Sequence, residues 1–197
     1  MPQPSDATES ADAAATLRRR FLDAAMRVLA RDGYAGFKQS TVCAETGLTT
    51  GGFYHSFPSW KDFEIALIEH WQTNATANVV ATLRTIGSPE QRVRALSDVA
   101  KGLPHHTERA LRVWAEKDPD VARAVAEVDQ TRYDAIAEFA GELLADPDAP
   151  ERLAAHSMLV LIGYQCSSID AAAFGATLEH IRDEALALPR KPAQTSE

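Results

Sequence analysis

Only two of the 197 residues are cysteine, Cys43 and Cys166, far apart in alanine-rich, apolar surroundings. No CxxC pair and no Cys/His cluster has the spacing of a zinc site, which argues against a disulfide framework and a structural metal. Two buried thiols in a reducing cytosol are expected. No run approaches the roughly 20 apolar residues of a membrane span, and the opening MPQPSDATESADAAA holds acidic residues where a signal sequence holds an apolar core. The expected location is cytoplasmic. The alternating, β-branched pattern of a strand is missing throughout, so the fold class is all-α. There is no HExxH, and no serine in a G-x-S-x-G setting. His105 and His106 are adjacent and would diverge by about 100° on a helix, while His180 with Asp183 and Glu184 lies on a charge-rich, solvated face. An enzyme, a metal and a cofactor are therefore not expected.

Positive charge is also in short supply, with a formal net charge of -8. Its distribution is uneven. Residues 16–63 carry seven basic and four acidic side chains, whereas everything after residue 63 carries 13 basic and 21 acidic ones. A mildly basic head on an acidic body suggests two tasks in two places.

Proline and glycine divide the chain into segments of helical length. A disordered tail is expected over residues 1–12 and a first helix over Ala13–Arg31, stopped at Asp32-Gly33. Short helices over Gln39–Thr46 and Thr50–Ser56 flank Gly47-Leu48-Thr49, giving helix, tight turn, helix. Ser59 opens a capping box with Asp62, starting a helix expected to reach Ile86, and Ser88-Pro89-Glu90-Gln91 opens another. Further helices are expected near Thr107–Lys117, from Asp118-Pro119, over Pro150–Cys166 and over Asp170–Leu188. Met158–Tyr164 is apolar on every side, and Phe174, Leu178, Ile181 and Ala185 recur in heptad steps. Paired across a two-fold axis, these last helices form an expected homodimer interface of Leu153, Val160, Leu161, Tyr164, Phe174, Leu178, Ile181 and Ala185. The expected domains are residues 13–58 and 59–188, with a flexible tail over 189–197.

The two glycines at the head of the second short helix are a puzzle, because each loses roughly 1 kcal/mol against alanine inside a helix. No strand precedes them and no Lys-Ser/Thr follows, which argues against a nucleotide loop. A helix-turn-helix sends the start of its second helix into the DNA major groove. Without side chains at Gly51 and Gly52, that start can come very close to DNA.

Residues 16–70, including RDGYAGF and STVCAETGLTTGGFYHSFPSWKDF, resemble the DNA-binding domain of the TetR family of transcriptional regulators. The matching positions are Val42-Cys43, Thr46-Gly47-Leu48-Thr49, Gly51, Tyr54, Phe57 and Ser59. RALRVWAEKDPDVARAVAEVDQTRY is similar to the C-terminal domains of many such regulators. The resemblance implies a three-helix DNA-binding domain followed by a helical domain for a small ligand and for dimerisation. It also implies a ligand-released repressor on a palindromic double-stranded operator. The alternative is an all-α carrier or enzyme with an incidental helix-turn-helix. The expected DNA contacts are Lys38, Ser40, Thr49, Thr50, Gly51, Gly52, Tyr54, His55 and Lys61. Lys61 comes one residue later than the family's usual lysine, after Trp60. Trp71, Asn74, Asn78, His106, Trp114, Tyr133, Phe139, Met158 and Tyr164 are the candidates for a ligand pocket.

Overall fold

The computed structural model describes residues 4–192, with side chains from residue 13 onward. Among them the chain is helical, in the order α1 (Pro4–Gly36), α2 (Gln39–Thr46), α3 (Thr50–Ser56), α4 (Trp60–Gln72), a π-turn (Thr73–Ala77), α5 (Asn78–Arg84), α6 (Pro89–Lys101), α7 (His105–Ala115), α8 (Pro119–Leu143), α9 (Ala149–Gln165) and α10 (Ala171–Ala187). Residues 4–12, expected to be a disordered tail, continue α1 as helix; residues 1–3 lie outside the described residues. At the expected stop, Gly33 breaks α1 with φ 66° and ψ -174°. The end of the chain, also expected to be a tail, is tied back: Leu144 bridges Arg190, and the Lys191 amide donates to the Leu143 carbonyl at 2.9 Å. Residues 193–197 lie outside the description.

Contacts group the chain into two compact units, residues 1–71 with 104–122, and residues 72–103 with 123–197. The expected boundary at 58/59 does not coincide with this grouping, because α4 and α7 pack with the N-terminal helices. In the first unit Phe21, Phe53, Phe57 and Phe63 form a ring cluster, with Phe21–Phe53 centroids 5.5 Å apart and Phe57–Phe63 centroids 4.8 Å apart. Phe37 joins it to Trp60 at 4.9 Å and to Trp114 at 5.2 Å, and Tyr34 stacks on Trp114. Trp114 thereby anchors α7 here. The Thr107 hydroxyl donates to the Met26 carbonyl, and the Trp71 indole donates to Glu108.

The helix starting at Ser59 forms as its local signals dictate. Ser59 Oγ accepts the Asp62 amide at 3.1 Å and donates to its carboxylate at 2.6 Å. The following backbone stays helical to Arg84, but the π-turn interrupts the α-helical register that was expected to continue.

The second unit packs its core from Val93, Ala140, Leu143 and Leu186; Val80, Leu83, Ala135 and Phe139; and Met158, Leu161, Phe174 and Leu178. Arg92 ties the α5–α6 connection to α8, donating twice to the Ile86 carbonyl and once to Glu142, with its guanidinium over the Phe139 ring.

This packing corrects the expected dimer surface. Leu161, Phe174, Leu178, Ile181 and Ala185 are buried within the chain, while Leu153, Val160 and Tyr164 pack partly against the same core. Tyr164 stacks flat on Phe174 at 4.0 Å. The heptad spacing marks the face α10 turns toward its own unit. The outward residues of α9 are His156, Leu159, Gly163 and, at its end, Cys166, with Leu159 72% exposed. Cys43 is buried as expected; Cys166 is exposed, because it caps α9 on that outer side.

Candidate nucleic-acid interface

The turn between α2 and α3 is fixed by hydrogen bonds. Gly47 takes the left-handed conformation at φ 68°, its amide donating to the Ala44 carbonyl and that of Leu48 to the Cys43 carbonyl, each at 3.2 Å. This is a Schellman cap, and its left-handed residue favours glycine. Thr46 Oγ1 donates to the Cys43 carbonyl and accepts the Leu48 amide. Thr49 then caps α3, accepting the Gly52 amide at 3.2 Å.

Burial orients α3. Phe53 and Phe57, four residues apart, are both sealed in the ring cluster. Residues so spaced share one face, which leaves Thr50, Gly51, Tyr54 and His55 exposed on the rest of the helix. Arg18 secures the far end, donating to the Ser56 carbonyl at 3.0 Å with its guanidinium 4.3 Å from the Phe57 ring centre. A cation there also complements the helix dipole.

Gly51 and Gly52 differ from the other constrained glycines. A methyl group at either would meet nothing closer than Thr49 Oγ1, at 3.7 and 3.8 Å, and neither has a positive φ. By contrast, Gly47 needs its φ, and a methyl at Gly36 would lie 2.4 Å from Asp32 Cβ. Nothing inside the chain requires glycine at 51 or 52.

The expected contacts fall largely on one exposed surface. Lys38 and Ser40 at the start of α2 are exposed, as are Thr49, Thr50, Gly51, Tyr54 and His55; Gly52 is half-buried. Lys38 has extended backbone and supplies no side-chain cap. The Tyr54 hydroxyl reaches Gln39 Oε1 at 3.5 Å, linking the starts of α2 and α3. Gln39 was missed in the sequence. The available signal was its place in the first turn of α2, next to Lys38.

Lys61 requires correction, because its ammonium is held by the Asp118 carboxylate at 3.1 Å. That hydrogen bond raises the Lys61 pKa above its ordinary value. Trp60 takes the preceding position and packs into the ring cluster. One residue is about 100° around a helix, which directs Lys61 to Asp118. Other cations are also committed. Arg27 and Arg31 both bind Glu45, at 2.8 and 2.6 Å, and hold its carboxyl below the usual range. Part of the basic head is therefore neutralised locally.

Residues 21–63 match the family profile of bacterial regulatory proteins, tetR family. The chain carries a TetR-family DNA-binding domain. The TetR likeness in fold extends well beyond that segment. A TetR-family regulator from Agrobacterium tumefaciens superposes with TM-score 0.69 at 19% identity, covering 87% of this chain and 98% of its own. Reduced NemR from E. coli gives 0.71 at 16%, covering 90% and 100%. A regulator from Saccharomonospora viridis in complex with choline gives 0.70 at 19%, also covering 90% and 100%. No curated protein matches in sequence. The TetR-type architecture is thus a helix-turn-helix unit with a second helical unit, and no helix among the described residues is long and apolar enough to cross a membrane.

The residues expected to line a ligand pocket are dispersed. Trp71, His106 and Trp114 belong to the first unit, and Trp71 and Trp114 are packed into it. Asn74 and Asn78 are exposed, paired with each other at 3.4 Å. Phe139 is sealed under Arg92, Tyr164 is stacked on Phe174, and the Tyr133 hydroxyl donates to the Glu151 carbonyl. Met158 alone of the nine lines the second unit's apolar cavity.

Proposed function

We propose that this chain is a homodimeric, ligand-released repressor that binds a palindromic operator. The observation that carries this reading is the exposed face of α3. Phe53 and Phe57 fix the helix from behind, and in front Gly51 and Gly52 leave open a surface for which the fold itself has no use. Close backbone approach to DNA gives that surface a purpose. Lys38, Ser40, Thr50, Tyr54 and His55 surround it as phosphate and base contacts. Two copies meet half-sites about 34–36 Å apart, and α9 is the dimer seam, now through its outward face at Leu159 and Gly163.

Release works by population shift. The helix leaving α4 continues through the π-turn into α5, which lines the cavity of the second unit. A ligand that fits one arrangement of this wall better displaces α4 and changes the spacing of the two α3 helices.

Selection of bound sequences from a random DNA pool, repeated across a salt series, tests the reading. An enriched inverted repeat is the expected result. Enrichment of an unrepeated site would overturn the dimer arrangement, and no enrichment would overturn the DNA reading. Leu159→Glu should convert the dimer to monomer in light scattering and weaken operator binding together; an unchanged mass would remove α9 as the seam.

A further inference from the structure

The second unit encloses a cavity of about 100 Å³, framed by the π-turn, α5, α6, α8, α9 and α10. Its wall is almost entirely aliphatic. Two hydroxyls interrupt it, those of Thr76 in the π-turn and Ser97 on α6, which are 3% and 6% exposed. Neither Oγ has a hydrogen-bond partner among the described residues. An unpaired buried hydroxyl destabilises a fold, and native chains rarely keep one without a reason. Here two occur in one cavity, and one of them sits on a π-turn, a helix irregularity frequent at functional sites.

We infer that this cavity binds a compact, uncharged molecule, apolar except for one hydroxyl or carbonyl group seated on Thr76 and Ser97. The inference rests on the repressor reading only in naming that molecule the effector. Size follows from comparison: a dry apolar cavity of about 150 Å³ accepts benzene, so the occupant here is of benzene's size or slightly smaller. Charge follows from the wall. Quaternary ammonium groups are recognised by aromatic faces, and the described lining residues include no aromatic ring and no carboxylate. The choline bound by the Saccharomonospora viridis relative is thus the wrong chemistry for this site. An anion is also unsuited, because Arg132 donates to the Ala75 carbonyl at 3.4 Å and Arg182 to Asp183 at 2.9 Å. The wall's cations are already engaged.

Calorimetric titration of the full chain with phenol, benzene and choline tests the inference, in wild type and in Thr76→Val/Ser97→Ala. Phenol should bind roughly fivefold to tenfold more tightly than benzene, the contrast one or two neutral hydrogen bonds produce, and choline should not bind. The double variant should lose the preference while its thermal midpoint rises by about 2–4 °C, since an unpaired hydroxyl is removed at little change of shape. A purely structural role for the hydroxyls predicts the reverse, a lower midpoint. Equal affinities for phenol and benzene, a preference that survives in the double variant, binding of none of the three, or choline binding most tightly would each overturn the inference. Operator release is read separately by fluorescence anisotropy. Phenol binding that leaves DNA affinity unchanged would overturn the ligand-released reading and spare the cavity; release that ignores both hydroxyls would do the opposite.

Discussion

Replacing Gly51 and Gly52 with alanine should move stability and DNA affinity in opposite directions. Within the chain the new methyl groups meet only Thr49 Oγ1, at ordinary contact distance, and neither backbone is strained for an L-residue. Each replacement therefore recovers helix propensity, up to about 1 kcal/mol. For a chain of this length that corresponds to a rise in Tm of about 2–4 °C per substitution. At the DNA the same methyl projects about 1.5 Å from the backbone. That displacement stretches a hydrogen bond of about 2.9 Å beyond 3.5 Å. Losing one such bond to a charged phosphate costs about 1.5–3 kcal/mol, or roughly 10- to 150-fold in affinity per subunit. Differential scanning calorimetry and operator titration by anisotropy measure the two effects on the same sample. Unchanged operator affinity in the more stable double variant would refute the close-approach argument. Lower stability would show that the glycines serve the fold after all.

Three further outcomes follow from the same geometry. Lys38 makes no hydrogen bond or ion pair among the described residues and is exposed beside α3; Lys38→Ala should weaken operator binding and lower the salt slope by about 0.9 per subunit, read from affinities at several salt concentrations. Glu45, held low first by Arg27 and then by Arg31, has a folded pKa below its unfolded value. Its stabilisation is therefore complete above the ordinary carboxylate range and lost as pH falls through the folded pKa, so the Tm difference between wild type and Glu45→Gln should be largest near neutrality and vanish in acid. Burial pushes the Cys43 thiol up whereas Cys166 is exposed; iodoacetamide at neutral pH should label Cys166 well before Cys43, as peptide mass spectrometry would record.

The local architecture of the interface was legible because its signals are local. Gln39–Thr46 and Thr50–Ser56 are bounded by Gly47 and Thr49, whose caps act over three to five residues, and both helices have the expected limits. The side of α3 that turns outward followed from two phenylalanines one turn apart. The seam on α10 was misassigned for an equally physical reason. Four-three spacing shows that Phe174, Leu178, Ile181 and Ala185 share a face, but a packed neighbour in the same chain and a second copy want the same residues there. Lys61 was misplaced because its destination, Asp118, lies 57 residues away and carries no motif. In the cavity, large and polar side chains drew attention, whereas the wall is made of Val, Leu, Ala and two small hydroxyls. Small residues surround a space without announcing it. The π-turn was equally silent, since Thr73–Ala77 is an unremarkable helical stretch whose irregularity depends on what the neighbouring helices demand.

That π-turn also makes the long connecting helix uneven in its tolerance of length change. Its hydrogen bonds skip one residue farther than those of an α-helix, so Thr73–Ala77 holds a surplus residue between two ordinary stretches. Deleting a residue inside this turn would convert it to plain α-helix and leave both flanks in phase. The same deletion in Asn78–Arg84 would rotate everything behind it by about 100° and shift it by about 1.5 Å. The chain therefore contains one site where its length can drift by a codon without turning the helix, and that site is also the cavity wall.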